Sequence, residues 1–135
     1  MFRSTCLFCW SAPVFYTVTA TVAIDANHTV GDDHVDCGHR WTVTVETREF
    51  FDLSKGRLLP AYDLQSNLFE LLLPLRHRSL NEMIPAVTPL PEGLATWVAE
   101  QLALRFPDLT TVTVEASYGT HVTLHRELRR SGGLV

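Results

Sequence analysis

The sequence is sparing in the features that declare a protein's class at a glance. It has three cysteines in 135 residues, Cys6, Cys9 and Cys37, an odd number that cannot close into a disulfide framework. Cys6-Leu7-Phe8-Cys9 has the spacing of half a zinc site or of a redox pair, but no second Cys-x-x-Cys completes it. No uninterrupted run of about 18 apolar residues exists, so no membrane span and no membrane partner are expected. The first 24 residues carry a single basic residue, Arg3, and an apolar stretch running to Ala20-Thr21-Val22-Ala23. Ser11, Pro13 and several threonines interrupt that stretch, and its alternation suits a strand better than a secretory signal; a cytoplasmic location is expected. The net charge of −4 gives no basic surface of the kind that tracks phosphates, so nucleic acid is not an expected partner. Internal repeats and low-complexity segments are missing too.

What is present reads as one globular domain. At 46% hydrophobic and 19% charged the chain has enough apolar material for a core. Residues 1–13 are expected to be an N-terminal extension, 14–128 the domain, and 129–135 a polar, frayed tail. From Val14 to Ile24 the apolar period is two, with Thr17, Thr19 and Thr21 on the other face, which predicts a long antiparallel-type strand. Asp25 to Asp36, with four aspartates, Asn27 and Gly31, reads as a connection. A second strand follows, with Trp41, Val43 and Val45 alternating against Thr42, Thr44 and Glu46, and the two strands should form a hairpin. Leu58-Leu59 offers a short third strand after the Lys55-Gly56 turn.

The period then becomes helical. Leu64, Leu68, Leu71, Leu72 and Leu75 form one stripe that Pro74 should end or kink. Pro91-Glu92 begins a second helix with a buried stripe of Leu94, Ala95, Val98 and Leu102, ending at Pro107-Asp108. Thr110–Glu115 and His121–His125 close the chain as strands. Strands at both ends and helices between them predict an α+β fold, an antiparallel sheet with two helices packed on one face. The other face is expected to carry the threonines and Trp41, and to serve as an oligomer interface or barrel lining.

Three clusters can carry chemistry. Cys37 and His39 are two apart at the start of a strand, so they share a face, and the hairpin brings His28 alongside. Two imidazoles and a thiolate suit zinc, and three protein ligands leave a fourth position open. His34 is a spare candidate in the same loop. The second cluster is Arg76-His77-Arg78-Ser79-Leu80-Asn81, where His77 can act as a general acid or base and the arginines can hold anionic groups. The bland reading is a helix C-terminus decorated with cations. The third is Glu115 at a strand end, a carboxylate able to accept two parallel hydrogen bonds from a heterocycle edge. His121 and His125 read as surface or edge residues.

In order and rough spacing these clusters resemble the 6-pyruvoyl-tetrahydropterin synthase / 6-carboxytetrahydropterin synthase family over residues 14–126. Ile24-Asp25-Ala26-Asn27-His28 matches that family's Phe-x-Ala-Ala-His. Asp33-His34-Val35-Asp36-Cys37-Gly38-His39 matches its Cys-x-x-x-His-Gly-His, and Arg76-His77-Arg78-Ser79-Leu80-Asn81 its Asp-His-x-x-Leu-Asn. Pro89 to Ala95 resembles its Pro-Thr-x-Glu-Asn-Leu-Ala, and Val112 to Ala116 its Val-x-Val-x-Glu-Thr.

The resemblance implies a tetrahydropterin-synthase-like T-fold that assembles into an oligomeric barrel, a homo-hexamer of two trimers with sites between subunits. It implies Zn2+ on His28, Cys37 and His39, and catalysis by His77, Asp33 and Glu115. It places the substrate, 7,8-dihydroneopterin triphosphate, against Glu115, Arg76 and Glu92. The activity implied is a zinc-dependent pterin side-chain lyase serving tetrahydrobiopterin, deazaguanine (queuosine) or folate synthesis.

The chain departs from the pattern at four positions. Cys37 replaces a metal histidine, Asp33 stands where the catalytic cysteine belongs, Arg76 replaces the relay aspartate, and Ala116 replaces a threonine. A further reading makes Cys37 the catalytic thiol with His34 as a ligand. The alternative function is a catalytically degenerate member that acts as a ligand-binding or scaffold oligomer.

Overall fold

The computed structural model describes residues 15–29, 36–50, 61–116 and 119–126. The expected extension 1–13, the tail 129–135, the Leu58-Leu59 strand, and Cys6, Cys9, Asp33 and His34 lie outside the described residues. Two 15-residue strands, β1 (Phe15–Thr29) and β2 (Asp36–Phe50), pair antiparallel along their whole length, from Phe15↔Phe50 to Thr29↔Asp36. Two further strands, β3 (Leu109–Ala116) and β4 (His121–His125), extend the sheet in the order β1-β2-β3-β4. A β-bulge between Glu46 and Thr47 lets β2 keep pairing with β3 as far as Leu109.

Among the described residues three α-helices lie between β2 and β3. The first, α1 (Ala61–Leu72), runs into a 3-10 turn over Leu73–Leu75 that carries Pro74 in its first turn, so the expected break at Pro74 is a tightening of the last turn. A four-residue helix, α2 (Leu80–Met83), follows; it is too short to leave a periodic signature and was not expected. The helix α3 (Pro91–Ala103) starts on a proline at a position where the missing N–H costs nothing, with Glu92 at the positive end of the dipole. Its third residue must be glycine: a Cβ on Gly93 would lie 1.9 Å from the Thr88 carbonyl oxygen. The helix ends at Ala103, short of the expected Pro107, because the Arg105 and Phe106 N–H groups both turn back onto the Leu102 carbonyl.

The core lies between the helices and one face of the sheet. Ala20, Val22, Ile24 and Ala26 of β1, Val43 and Val45 of β2, and Val112, Val114 and Ala116 of β3 meet Leu64, Leu68, Leu72, Leu94, Val98 and Leu102. The two helical stripes read from the sequence are therefore the buried ones. Trp41 corrects the expectation that it shares the threonine face. It is completely buried on the helix side, where its Nε1 donates to the Ala26 carbonyl at 3.1 Å. Period-two alternation with Val43 and Val45 requires that placement, and the indole N–H finds the partner that a buried indole needs.

Candidate functional site

The site grows from the turn end of the β1–β2 hairpin. The Asp/Asn-rich stretch after Ile24 was expected to leave the sheet, yet β1 continues through Thr29. Besides its pairing with β2, a distant segment holds it. The Asn27 N–H donates to the Arg78 carbonyl, the His77 N–H donates to the Asp25 carbonyl at 2.6 Å, and Asn27 forms a parallel bridge with Ser79. This segment acts as a short extra strand on the free edge of β1 and satisfies backbone groups that a turn would otherwise claim. His28 therefore sits inside a strand rather than beyond its end, in register with Cys37.

Along the covered face of β1 and β2 the apolar series Ile24, Ala26 and Trp41, Val43 gives way to His28 and His39. The two imidazoles meet edge to face with centroids 4.8 Å apart, and Trp41 walls them at 5.1 and 6.0 Å. His28 is only 4% exposed. Its Nδ1 lies 2.6 Å from the Pro89 carbonyl, which can only accept, so Nδ1 carries the proton and donates. That fixes the ring's orientation and leaves Nε2 with a free lone pair, the arrangement found when a backbone carbonyl orients a metal-ligating histidine. Burial, and after it the neighbouring His28 imidazole, holds His39 below the ordinary histidine range, which favours the neutral ring that a metal needs.

Two of the three donors expected for zinc thus fit the role. Among the described residues no group of three or more His, Cys, Asp or Glu gathers to complete a site. The backbone of Cys37 pairs with His28, and its side chain lies outside what the structure describes. Between the two candidate ligand positions, Gly38 keeps the strands close: a Cβ there would meet the Asn27 Oδ1 at 3.0 Å.

A cleft of about 420 Å³ opens beside the pair, lined by Asp25, Ala26, Asn27, Gly38, His39, Arg40 and His77. His77 has a left-handed backbone (φ 61°), uncommon for a residue with a side chain and held here by its bond to Asp25. The hairpin brings His28 and His39 together, and His77 joins His39 at the cleft. Arg76 is exposed and does not line the cleft. Glu92 is exposed in the first turn of α3. Glu115 pairs with Thr42, one position from Trp41, so it stands on the opposite, open face of the sheet and is exposed. Within one chain it does not join the histidines. Sequence reasoning missed Asp25 and Arg40, whose carboxylate and guanidinium lie 3.4 Å apart across the hairpin. Opposite charges at directly paired positions were the signal, legible once the register is known.

Such a fold, an antiparallel sheet with helices on one face and a histidine pair at a hairpin end, is that of a pterin-synthase-like α+β domain. The family model described as 6-pyruvoyl tetrahydropterin synthase matches residues 17–127, and the chain belongs to this family. The structure is similar to that of the 6-pyruvoyl tetrahydropterin synthase of Caenorhabditis elegans, with a TM-score of 0.71 at 18% identity, covering 85% of this chain and 98% of that one. No curated protein sequence matches the chain significantly. No helix among the described residues is long and apolar enough to cross a membrane.

Proposed function

We propose that this chain is a zinc-dependent pterin side-chain lyase of the 6-pyruvoyl/6-carboxytetrahydropterin synthase type, acting on 7,8-dihydroneopterin triphosphate. Family membership supports a pterin-related lyase at the coarse level. The observation that carries the finer reading is the pairing of His28, locked through Nδ1 to Pro89, with His39 at a polar cleft that also takes in His77.

His28 and His39 would hold the zinc, with position 37 as third donor. When bound, the ion would polarise the side-chain oxygens of the substrate. His77 lines the cleft at a fixed backbone angle, where its ring can take a proton from the substrate side chain or return one. Asp33 is proposed as the acid that stands in for a catalytic thiol. Glu115 is proposed to anchor the pterin ring. Because it stands on the other face of the sheet from His28 and His39, the Glu115 of a neighbouring copy would complete each site. That requirement supports a homo-oligomer with shared sites, the hexameric barrel being its proposed form. Arg76, proposed as a contact to the substrate's anionic groups, stays clear of the cleft of its own chain. Arg76 filling the pterin pocket would favour the degenerate scaffold instead.

The test is incubation of purified protein with zinc and 7,8-dihydroneopterin triphosphate, followed by mass spectrometry. A pyruvoyl-, carboxy- or hydroxymethyl-pterin that disappears in His28→Ala and His77→Ala is the expected result. A metal-loaded oligomer that returns the substrate unchanged would sink the lyase reading and leave the ligand-binding scaffold.

A further inference from the structure

The cleft holds one ion pair that the family pattern leaves without a role. Asp25 and Arg40 are register partners on β1 and β2, and their carboxylate and guanidinium lie 3.4 Å apart with side chains 51% and 64% exposed. Both line the cleft. Among the described residues that line it, Asp25 is the sole acid, against Arg40, His39 and His77. A pair this open to water is screened and holds its charges weakly, so its guanidinium can exchange one oxyanion for another. Phosphoryl oxygens suit that exchange, because the planar fork of arginine binds them in bidentate fashion and more strongly than a neutral donor would. Asp25 itself is anchored. Its backbone is held by strand pairing to Arg40 on one side and by the His77 N–H on the other, so its carboxylate stays at the cleft wall when Arg40 turns away.

We propose that Arg40 is the anion-gripping residue of this cleft and Asp25 its resting partner: a phosphoryl group entering the cleft displaces the Asp25 carboxylate from the Arg40 guanidinium. The proposal takes from the pterin reading only the identity of the incoming anion, a triphosphate ester. Asp25 thereby lowers affinity for every anion while keeping Arg40 aimed into the cleft, which makes it a specificity-determining residue with an unusual sign. Removing its charge should improve binding of a bare polyphosphate.

The probe is inorganic tripolyphosphate, titrated calorimetrically into the purified protein at low and at moderate salt. Arg40→Met should weaken binding by about tenfold, and Arg40→Lys, which keeps the charge without the fork, by an intermediate factor. Asp25→Asn should tighten it by about threefold, an advantage that fades as salt rises. Any contact of the probe with a bound metal is common to all these proteins, so the differences alone are read, with thermal unfolding to confirm that each variant keeps its fold. Unchanged affinity in Arg40→Met, or weaker binding in Asp25→Asn, overturns the proposal. So does loss of binding in an Arg76→Met/Arg78→Met double variant that Arg40→Met does not share. The two readings fail separately. Anion affinities that follow this order without any pterin product leave the grip standing and remove the lyase. Product formation with KM and tripolyphosphate affinity both unmoved in Arg40→Met removes the grip and leaves the lyase.

Discussion

The two faces of this sheet come from the same strands and could hardly differ more. The helix-covered face is apolar from Ala20 to Ala26 on β1 and from Val45 back to Trp41 on β2, and then, without becoming exposed, it turns to imidazole at His28. The open face is built of threonines that bond across the strands, Thr21 to Thr44 at 3.1 Å and Thr113 to Thr123 at 2.9 Å, with Thr111 donating to Glu46. Such pairs each add a little to sheet stability without needing a dry environment. The comparison teaches where a polar side chain must find a partner. A polar side chain on the open face is ordinary and needs no partner but water. A histidine that is 4% exposed at the end of a core stripe must have its ring nitrogens accounted for, and one of them goes to Pro89.

The largest effect is expected where the covered face turns polar. Trp41→Ala removes a fully buried indole together with its bond to the Ala26 carbonyl and the wall against which both histidines pack. A loss of about 3–5 kcal/mol of stability is expected, read by urea unfolding, whereas Thr44→Val on the open face should stay within about 0.5 kcal/mol of the parent. Equal losses from the two would mean that the open face is as tightly packed as the covered one, and the contrast between the faces would fail.

The next effect falls on metal. Bound zinc would stabilise the folded chain by mass action, so a strong chelator should lower the melting temperature of the parent protein. His28→Ala should start from that lowered value and respond to chelator little or not at all, with zinc content measured in parallel. A parent protein purified with stoichiometric zinc that His28→Ala retains in full would show that the metal sits elsewhere.

A smaller effect belongs to the edge of β1. The side-chain amide of Gln65 on α1 donates to the Thr21 carbonyl at 2.9 Å and accepts from the Thr21 N–H at 3.3 Å, mimicking a neighbouring strand. Gln65→Ala should cost about 1 kcal/mol and speed amide hydrogen exchange at Thr21 more than at Val22, whose N–H serves the ladder with β2. Uniform exchange at the two positions would deny the cap.

These side-chain and edge contacts also mark how far the sequence can be read. Alternation in β1 and β2 and the leucine stripes of α1 and α3 were legible because burial imposes a period on each element by itself. The β1–β2 hairpin was legible from two alternating runs on either side of one connection, whereas the pairing of β2 with β3, on the far side of all the helices, was not. What escaped depends on partners far away in sequence. Asp25-Ala26-Asn27 has turn-forming composition and is a strand because β2 pairs with it on one side and residues 77–79 on the other. Gly93 is explained by the Thr88 carbonyl, not by helix propensity. Trp41 was assigned to the wrong face although its own alternation with Val43 placed it correctly. In the candidate site the histidine pair was legible from spacing, since the hairpin register follows from the two strands. The position of Glu115 was not, because a strand-end acid carries no mark of the face it serves until β3 is registered against β2.

The smallest effect is a pH dependence that belongs to the covered face alone. His39 is held below its ordinary value of 6.5, by burial first and by His28 second. The unfolded chain therefore takes up this proton before the folded one does, and unfolding becomes easier as pH falls through about 6.5. Above that value both states are neutral and His39 contributes no slope. Below the folded-state value both are protonated and the loss is complete. His39 is only partly buried, so solvent screening keeps the effect modest. Urea unfolding of metal-free protein at pH 7.5 and 5.5 should show lower stability at the acid end, and His39→Gln should flatten part of that difference. A profile that His39→Gln leaves unchanged would show that the titrating group does not lie beneath the helices.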